Sequence, residues 1–205
     1  MYIYWLGESS FKIKTDQVNL IIDPAAKETG LNQALLTADI VLVSNALLTD
    51  LKWIKSQKEG DNPFIIQNPG EYETGGVFIY GLSGSQNNVL YLIKADNLTI
   101  AHLAGLNQGL NSEEIELFEG ADIALVPVGG CGVLSGKQAD QVISQIEPKI
   151  VIPMNYQLPK LNIKREPIDS FLSEMGAKGL QPETSLSITK AKLPIEETKI
   201  VLLAA

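Results

Sequence analysis

One histidine, His102, and one cysteine, Cys131, are all that the 205-residue chain offers of the two side chains that most often hold transition metals. A lone cysteine excludes an internal disulfide framework and a cysteine-rich zinc knuckle, so stability has to come from packing. A lone histidine excludes any set of three imidazole ligands. Long apolar runs are missing as well: none approaches the roughly 18 residues of a membrane span, and the start MYIYWLGESSFKIK has no basic segment followed by a long apolar core. A cytoplasmic protein with no membrane partner is the expectation. Basic charge is also scarce. Sixteen Lys and Arg stand against 24 Asp and Glu, a net charge of −8 that repels phosphate backbones and argues against nucleic acid as a partner. The sequence has neither internal repeats nor low-complexity stretches.

What is present reads as a globular chain of one domain, residues 1–205, long enough to bury a layered core. The first 25 residues read as short strands: 2–5, 11–14 and 18–23. ADIVLVS, 38–44, is a continuous β-branched run of the kind buried on both faces of a sheet. In ALLTDLKWIKSQ the apolar Leu47, Leu51 and Ile54 recur at helical spacing, with Lys52, Lys55 and Lys58 free to face water, which predicts a helix ended by Gly60. Further strands are predicted at 64–67, 77–82, 88–94 and 98–103. From SEEIELF onward, helix and strand alternate through ADIALVPV, SGKQADQVISQI and KIVIPM, with Asn111 or Ser112 and Ser135 as candidate N-caps. A helix at IDSFLSEM and strands at SLSIT and KIVLLA close the chain. Meanders flanked by helices in each half suggest two packed sheets with helices outside. Periodicity by itself reaches only α/β or α+β.

Seven segments in fixed order sharpen this reading: WLGESSF, LIIDP, ADIVLVSNALLTD, PGEYETGGVFIYGL, HLAGL, ADIALVPVGG and KIVIPMNY. Together they resemble the metallo-β-lactamase superfamily, in particular its small bacterial and archaeal zinc-dependent hydrolase-like branch. The resemblance implies a four-layer αβ/βα sandwich with a site along one edge of the sheets. It also implies several histidines and carboxylates converging on one or two metal ions. A catalytic zinc needs about three protein ligands and an open position for water.

Position by position, the implied ligands are absent. Where the resemblance implies HxHxDH, the chain reads Asn45, Ala46, Leu47, Leu48, Thr49, Asp50, so that both leading histidines are missing, Thr49 stands for an aspartate, and Asp50 alone keeps a carboxylate. Gly105 in HLAGL stands where a bridging aspartate is implied, and Asn155 in PMNY replaces a histidine. Glu8 replaces the histidine of WLGHS, and GLSGSQNNV is short and lacks a further ligand histidine.

The implied fold still brings Glu8, Asn45, Asp50, His102 and Asn155 to one edge, a polar pocket of carboxylates and amides better matched to a hard cation such as Mg²⁺ or Ca²⁺ than to zinc. These five are the candidate ligand-binding residues. Asp23 in IIDP and His102 read as hydrogen-bonding scaffold. Cys131 in VGGCGVL reads as part of a tight turn, since neither GxGxxG nor a Walker lysine is present. The leading expectation is a non-catalytic binding or assembly module with zinc absent, taking an unknown small molecule or protein, with homo-oligomerisation or pairing with an intact paralogue as options. The alternative is a metal-dependent hydrolase of a small phosphoester or lactone-type substrate with an atypical site built on Asp50, Glu8 and His102. Fold does not fix function, so the alternative rests on analogy at this point.

Overall fold

The computed structural model describes residues 1–31, 34–57 and 60–205. The chain opens on β1 (Tyr2–Gly7), β2 (Ser10–Lys14) and β3 (Asn19–Ile22), an antiparallel meander in which Ile3, Phe11, Ile13 and Leu20 turn inward. Then come the short strands β4 (Leu36–Ala38), β5 (Ile40–Leu42), β6 (Ile54–Ser56) and β7 (Phe64–Ile66). A second meander follows: β8 (Gly70–Thr74), β9 (Val77–Ser83), β10 (Val89–Ala95) and β11 (Leu98–His102). The helix–strand alternation comes next as α1 (Ser112–Phe118), β12 (Ile123–Pro127), α2 (Gly136–Ile146), β13 (Ile150–Met154) and α3 (Asp169–Glu174). The two-residue strands β14 (Leu186–Ser187) and β15 (Lys199–Ile200) complete it.

One six-stranded sheet has the order β14-β1-β2-β3-β5-β7 and one seven-stranded sheet the order β15-β13-β12-β11-β10-β9-β8. Both contribute to one apolar core: Ile3, Phe11, Leu20 and Leu42 from the first sheet lie in the same cluster as Ile79, Leu90, Ile100 and Leu125 from the second. Every residue of β12 and β13 is buried, as expected for parallel strands covered on both faces. The covering layer includes Ala139, Val142, Ile143 and Ile146 of α2 and Phe171 of α3, all in the same cluster. Capping boxes fix the starts of the first two helices: Asn111 with Glu114, and Ser135 with Gln138.

The outer face of the first sheet is finished differently from the expectation of a helix over 46–57. Ile21, Ala38, Val41 and Val43 form a small second cluster that is covered by Leu36 and Ile54 from the parallel pair β4–β6. The stretch before β6 is a single 3₁₀ turn, Leu51–Trp53, and Leu47 is 90% exposed rather than core-facing. Local hydrogen bonding accounts for this. The Asn45 side-chain oxygen accepts from Leu47 N at 2.9 Å, and the Thr49 hydroxyl donates to Asn45 O, capturing the backbone in turns that compete with a helix. Lys58, expected on the outward face of that helix, lies outside the described residues.

Candidate functional site

Strands β3 and β5 run parallel in one sheet, as do β11, β12 and β13 in the other. The loops leaving their C-terminal ends meet across the sandwich. Val89 N donates to Ser44 O at 2.9 Å, Asn155 N to Glu8 O at 3.3 Å, and the His102 ring nitrogen Nε2 lies 3.2 Å from Ser9 O. At this edge five non-glycine residues hold positive φ: Glu8 (49°), Asp23 (44°), Ala104 (44°), Cys131 (48°) and Asn155 (55°). Left-handed backbone outside glycine is sparsely populated and costs of order 1–3 kcal/mol where the side chain does not favour it. Other such residues lie elsewhere, as at the β10–β11 turn (Asp96, Asn97) and the end of α2 (Glu147), where they serve tight turns and a helix cap.

Glu8 lies after Gly7, where β1 turns into β2, and is buried at 4% exposure. Its carboxylate accepts from Arg165 Nη2 at 2.8 Å and from Arg165 Nε at 3.3 Å to each oxygen, and from Asn155 Nδ2 at 3.1 Å. Arg165 Nη1 donates to Cys131 O at 3.1 Å. One guanidinium therefore ties together the β1–β2 turn and the glycine-rich loop after β12, beside the end of β13. Asn155 Oδ1 is buried without a hydrogen-bond partner.

His102 is fully buried, edge-on to Phe11. Because Ser9 O can only accept, the neutral ring carries its proton on Nε2, and Nδ1 is left without a partner. Burial pulls the His102 pKa below its ordinary value, while the neighbouring Asp23 carboxylate acts in the opposite direction. Asp23 accepts from Ser44 N at 2.6 Å and from the Ser44 hydroxyl, fixing the residue before Asn45. Burial raises its pKa, against the opposing influence of His102, Ser44 and Ser9.

Asn45 meets a residue that the sequence reading passed over. Its Nδ2 donates to Asn88 Oδ1 at 2.9 Å, and Asn88 Nδ2 donates to Gly105 O at 3.4 Å. The short loop before β10 thus delivers an amide side chain into the gap between the Asn45 and Gly105 loops. Asp50 is half-buried and caps the 3₁₀ turn, accepting from Lys52 N at 3.0 Å. Of the five expected residues, direct contact joins only Glu8 and Asn155. His102 lies below them through Ser9, Asn45 pairs with Asn88, and Asp50 stays on its own turn. The other residue missed was Arg165. Its signal was present in composition, as the only arginine among sixteen basic residues, in a chain that also places a carboxylate at Glu8.

Two packed sheets with helices outside and a loop-built polar edge at the strand C-termini define the metallo-β-lactamase type of fold. Residues 2–155 match the Beta-lactamase superfamily domain, and the chain belongs to that superfamily. A protein of Methanopyrus kandleri, named a UPF0173 metal-dependent hydrolase, is 25% identical over 86% of this chain and 93% of its own. One from Pyrococcus horikoshii with the same description is 28% identical over 75% of this chain and 84% of its own. Among solved structures, a Thermotoga maritima protein described as a candidate zinc-dependent hydrolase of the metallo-beta-lactamase superfamily superposes with a TM-score of 0.82 at 26% identity, covering 100% of both chains.

These findings correct two expectations. The leading expectation of a non-catalytic module that has lost its metal is overturned, because relatives aligned along most of the chain are named metal-dependent hydrolases. The expectation that zinc is absent is overturned on the same ground, since the relatives point to a metal cofactor. The side chains of this chain, as arranged, are nevertheless not a zinc set. Among the described residues no group of three or more His, Cys, Asp and Glu could hold a metal ion. The Glu8 carboxylate already has a guanidinium against it, and Asn155 offers an amide oxygen in place of an imidazole.

Proposed function

We propose that the protein is a metal-dependent hydrolase of a small phosphoester or lactone-type substrate, working at the edge formed by Glu8, Asn45, Asp50, His102 and Asn155. The observation that carries this reading is the full-length superposition on a candidate zinc-dependent hydrolase, with neither chain leaving a part uncovered. The carboxylates of Glu8 and Asp50 and the amide oxygens of Asn45 and Asn155 are donors of the type that suits a hard cation better than a soft one, although as arranged they are not gathered into one set, Glu8 being paired with Arg165 and Asp50 capping its own turn. His102, buried, positions the Ser9 carbonyl and with it the Glu8 turn. Asp23, through Ser44, positions Asn45. Asp50 accepts from Lys52 N at the start of its 3₁₀ turn and is the second carboxylate of the edge in this reading. We place this activity in the cytoplasm, consistent with the lone Cys131, and among the described residues no helix is long and apolar enough to cross a membrane.

The test is an assay of purified protein equilibrated separately with Zn²⁺, Mn²⁺ and Mg²⁺, against a chromogenic phosphodiester and a small lactone. Turnover that requires one added metal, is abolished by chelation, and falls at least about tenfold in Asp50→Ala supports the reading. A protein that turns over neither substrate class with any of the three metals overturns it.

A further inference from the structure

The two sheets end differently on their two sides. On the side of β14 and β15 the C-terminal segment adds further backbone bonds, Glu183 N donating to Leu202 O and Ala204 N to Glu183 O. On the other side β7 and β8 are the last strands, and among the described residues no backbone bond reaches their outer edges. β7 is three residues long and follows Pro63, which has no N–H to offer. β8 has five residues, and in an antiparallel pair every second residue turns its N–H and C=O away from its neighbour. The two faces of this edge differ in chemistry. On the inner face Tyr72 and Thr74 oppose Ile79 and Val77, and the Tyr72 ring meets the exposed Phe64 of β7 edge-on at 6.4 Å. On the outer face the exposed Glu71 and Glu73 oppose Tyr80 and Phe78. Beside them lies a groove of about 490 Å³ between β8, β9 and α1, lined by the apolar Tyr80, Leu82 and Leu117 and by Glu71, Glu113 and Glu116, with no basic residue in its wall.

We propose that β8 is a docking edge for an extended segment of a partner protein in which basic and apolar residues alternate, added to the seven-stranded sheet as one more strand. The register dictates the alternation. Successive side chains of a strand point to opposite faces, so the residues set against Glu71 and Glu73 share the outer face with two carboxylates. The residue between them, set against Tyr72, lies over the Tyr72 and Phe64 rings. A lysine or arginine at an outer position pairs across the strands with Glu71 or Glu73 and lays its aliphatic stem toward the apolar wall of the groove. A hydrocarbon side chain at the inner position covers the two rings. Main-chain hydrogen bonds hold such a strand whatever its sequence, and the two faces choose it. The same carboxylates exclude a second copy. Antiparallel pairing of two β8 edges about Tyr72 sets Glu71 of one copy against Glu73 of the other, with like charges directly opposite. Glu113 and Glu116 add to the negative potential of this face, in a chain of net charge −8, so its complement is cationic.

The probe is a capped peptide of about seven residues alternating lysine and valine, titrated into the full chain by fluorescence anisotropy at an ionic strength of about 0.15 M. It is expected to bind at least about tenfold more tightly than a glutamate–valine peptide of the same length, and in Glu71→Lys/Glu73→Lys that preference should reverse. Two further peptides keep every charge and leave the protein untouched: one is N-methylated at its lysines, the other at its valines. Only one of the two carries its methyl groups on the edge facing β8, so one should bind at least about tenfold more weakly and the other like the parent. Equal binding of all three reduces the effect to charge attraction and overturns the proposal, as does a preference that survives charge reversal. If the charge-reversed variant does not fold, the methylated pair on wild type decides. Sedimentation with hydrogen exchange tests the other occupant. A monomer whose β8 amides gain protection on adding the lysine–valine peptide supports the proposal. A stable dimer with those amides already protected puts a second copy on the edge and overturns it.

Discussion

At the residue scale the dominant feature is a buried ion pair between Glu8 and Arg165, whose side chains are 5% and 6% exposed and lie 157 residues apart in sequence. Desolvating two charges offsets much of their attraction, so such a pair contributes little net stability, yet removing one partner strands the other in a low-dielectric setting. Arg165→Met should therefore cost about 3–5 kcal/mol in urea unfolding, and adding Glu8→Gln should recover most of that loss. A double variant as unstable as the single one would show that packing of the arginine stem, not the stranded charge, sets the cost. His102 gives a second prediction. Its folded pKa lies below the ordinary value because of burial, so the unfolded chain takes up a proton first as pH falls. Its contribution to stability is present above about pH 6.5 and is lost as pH drops below that toward the folded pKa. Asp23, whose pKa is raised by burial, acts in the opposite sense, losing stability as pH rises through its folded value. Subtracting the stability–pH curve of His102→Gln from that of wild type isolates the histidine: the difference should shrink as pH falls below about 6.5. A pH-independent difference would mean that folding does not lower the His102 pKa.

Among the elements, the helix starts were the most legible feature and the coverage of the first sheet the least. Both capping boxes close as their sequences suggest, because a cap depends on residues three apart and on little else. Ser135→Ala should lower stability by about 1 kcal/mol, read from the denaturation midpoint. A change within error would imply that α2 is held by its buried Ala139, Val142 and Ile146 alone. The 46–57 segment shows the converse. Three apolar residues at helical spacing were outweighed by the Asn45 turn and by an apolar patch, Ile21, Val41 and Val43, that the Leu36 and Ile54 strands cover. Between elements, Gly129 marks where two loops of the site press together. A Cβ built there would lie 1.9 Å from the main-chain oxygen of Asn155, an atom held by its own strand end. Gly129→Ala should destabilise by more than the roughly 1–3 kcal/mol of ordinary overpacking, measured by thermal melting. An alanine variant of near wild-type stability would mean that the β12 and β13 loops can separate at little cost.

For the whole molecule, the fold class and the list of departures from an all-histidine site follow from sequence. Buried runs such as ADIVLVS and ADIALVPV declare themselves because a strand covered on both faces must be apolar throughout, and the seven ordered segments carry the superfamily. Glu8, Asn45, Asp50, His102 and Asn155 could be named one by one as candidates, since each stands at a position of a motif that carries the resemblance. The relation between them was not legible. The conclusion drawn from five substitutions, that the metal had gone, treated each position as independent, and relatives named metal-dependent hydrolases overturned it. What only the tertiary structure decided is which of these residues meet. It put Arg165 of the returning segment onto Glu8, Asn88 onto Asn45, and left Asn155 Oδ1 buried without a donor. The physical reason is one of range. Strand burial and capping are set by neighbours within a few residues, and so are written in periodicity. The site is set by long-range pairing of loops; the left-handed turns at Glu8 and Cys131 have no local signature, and those at Asp23 and Asn155 only the weak one of a residue type that tolerates them.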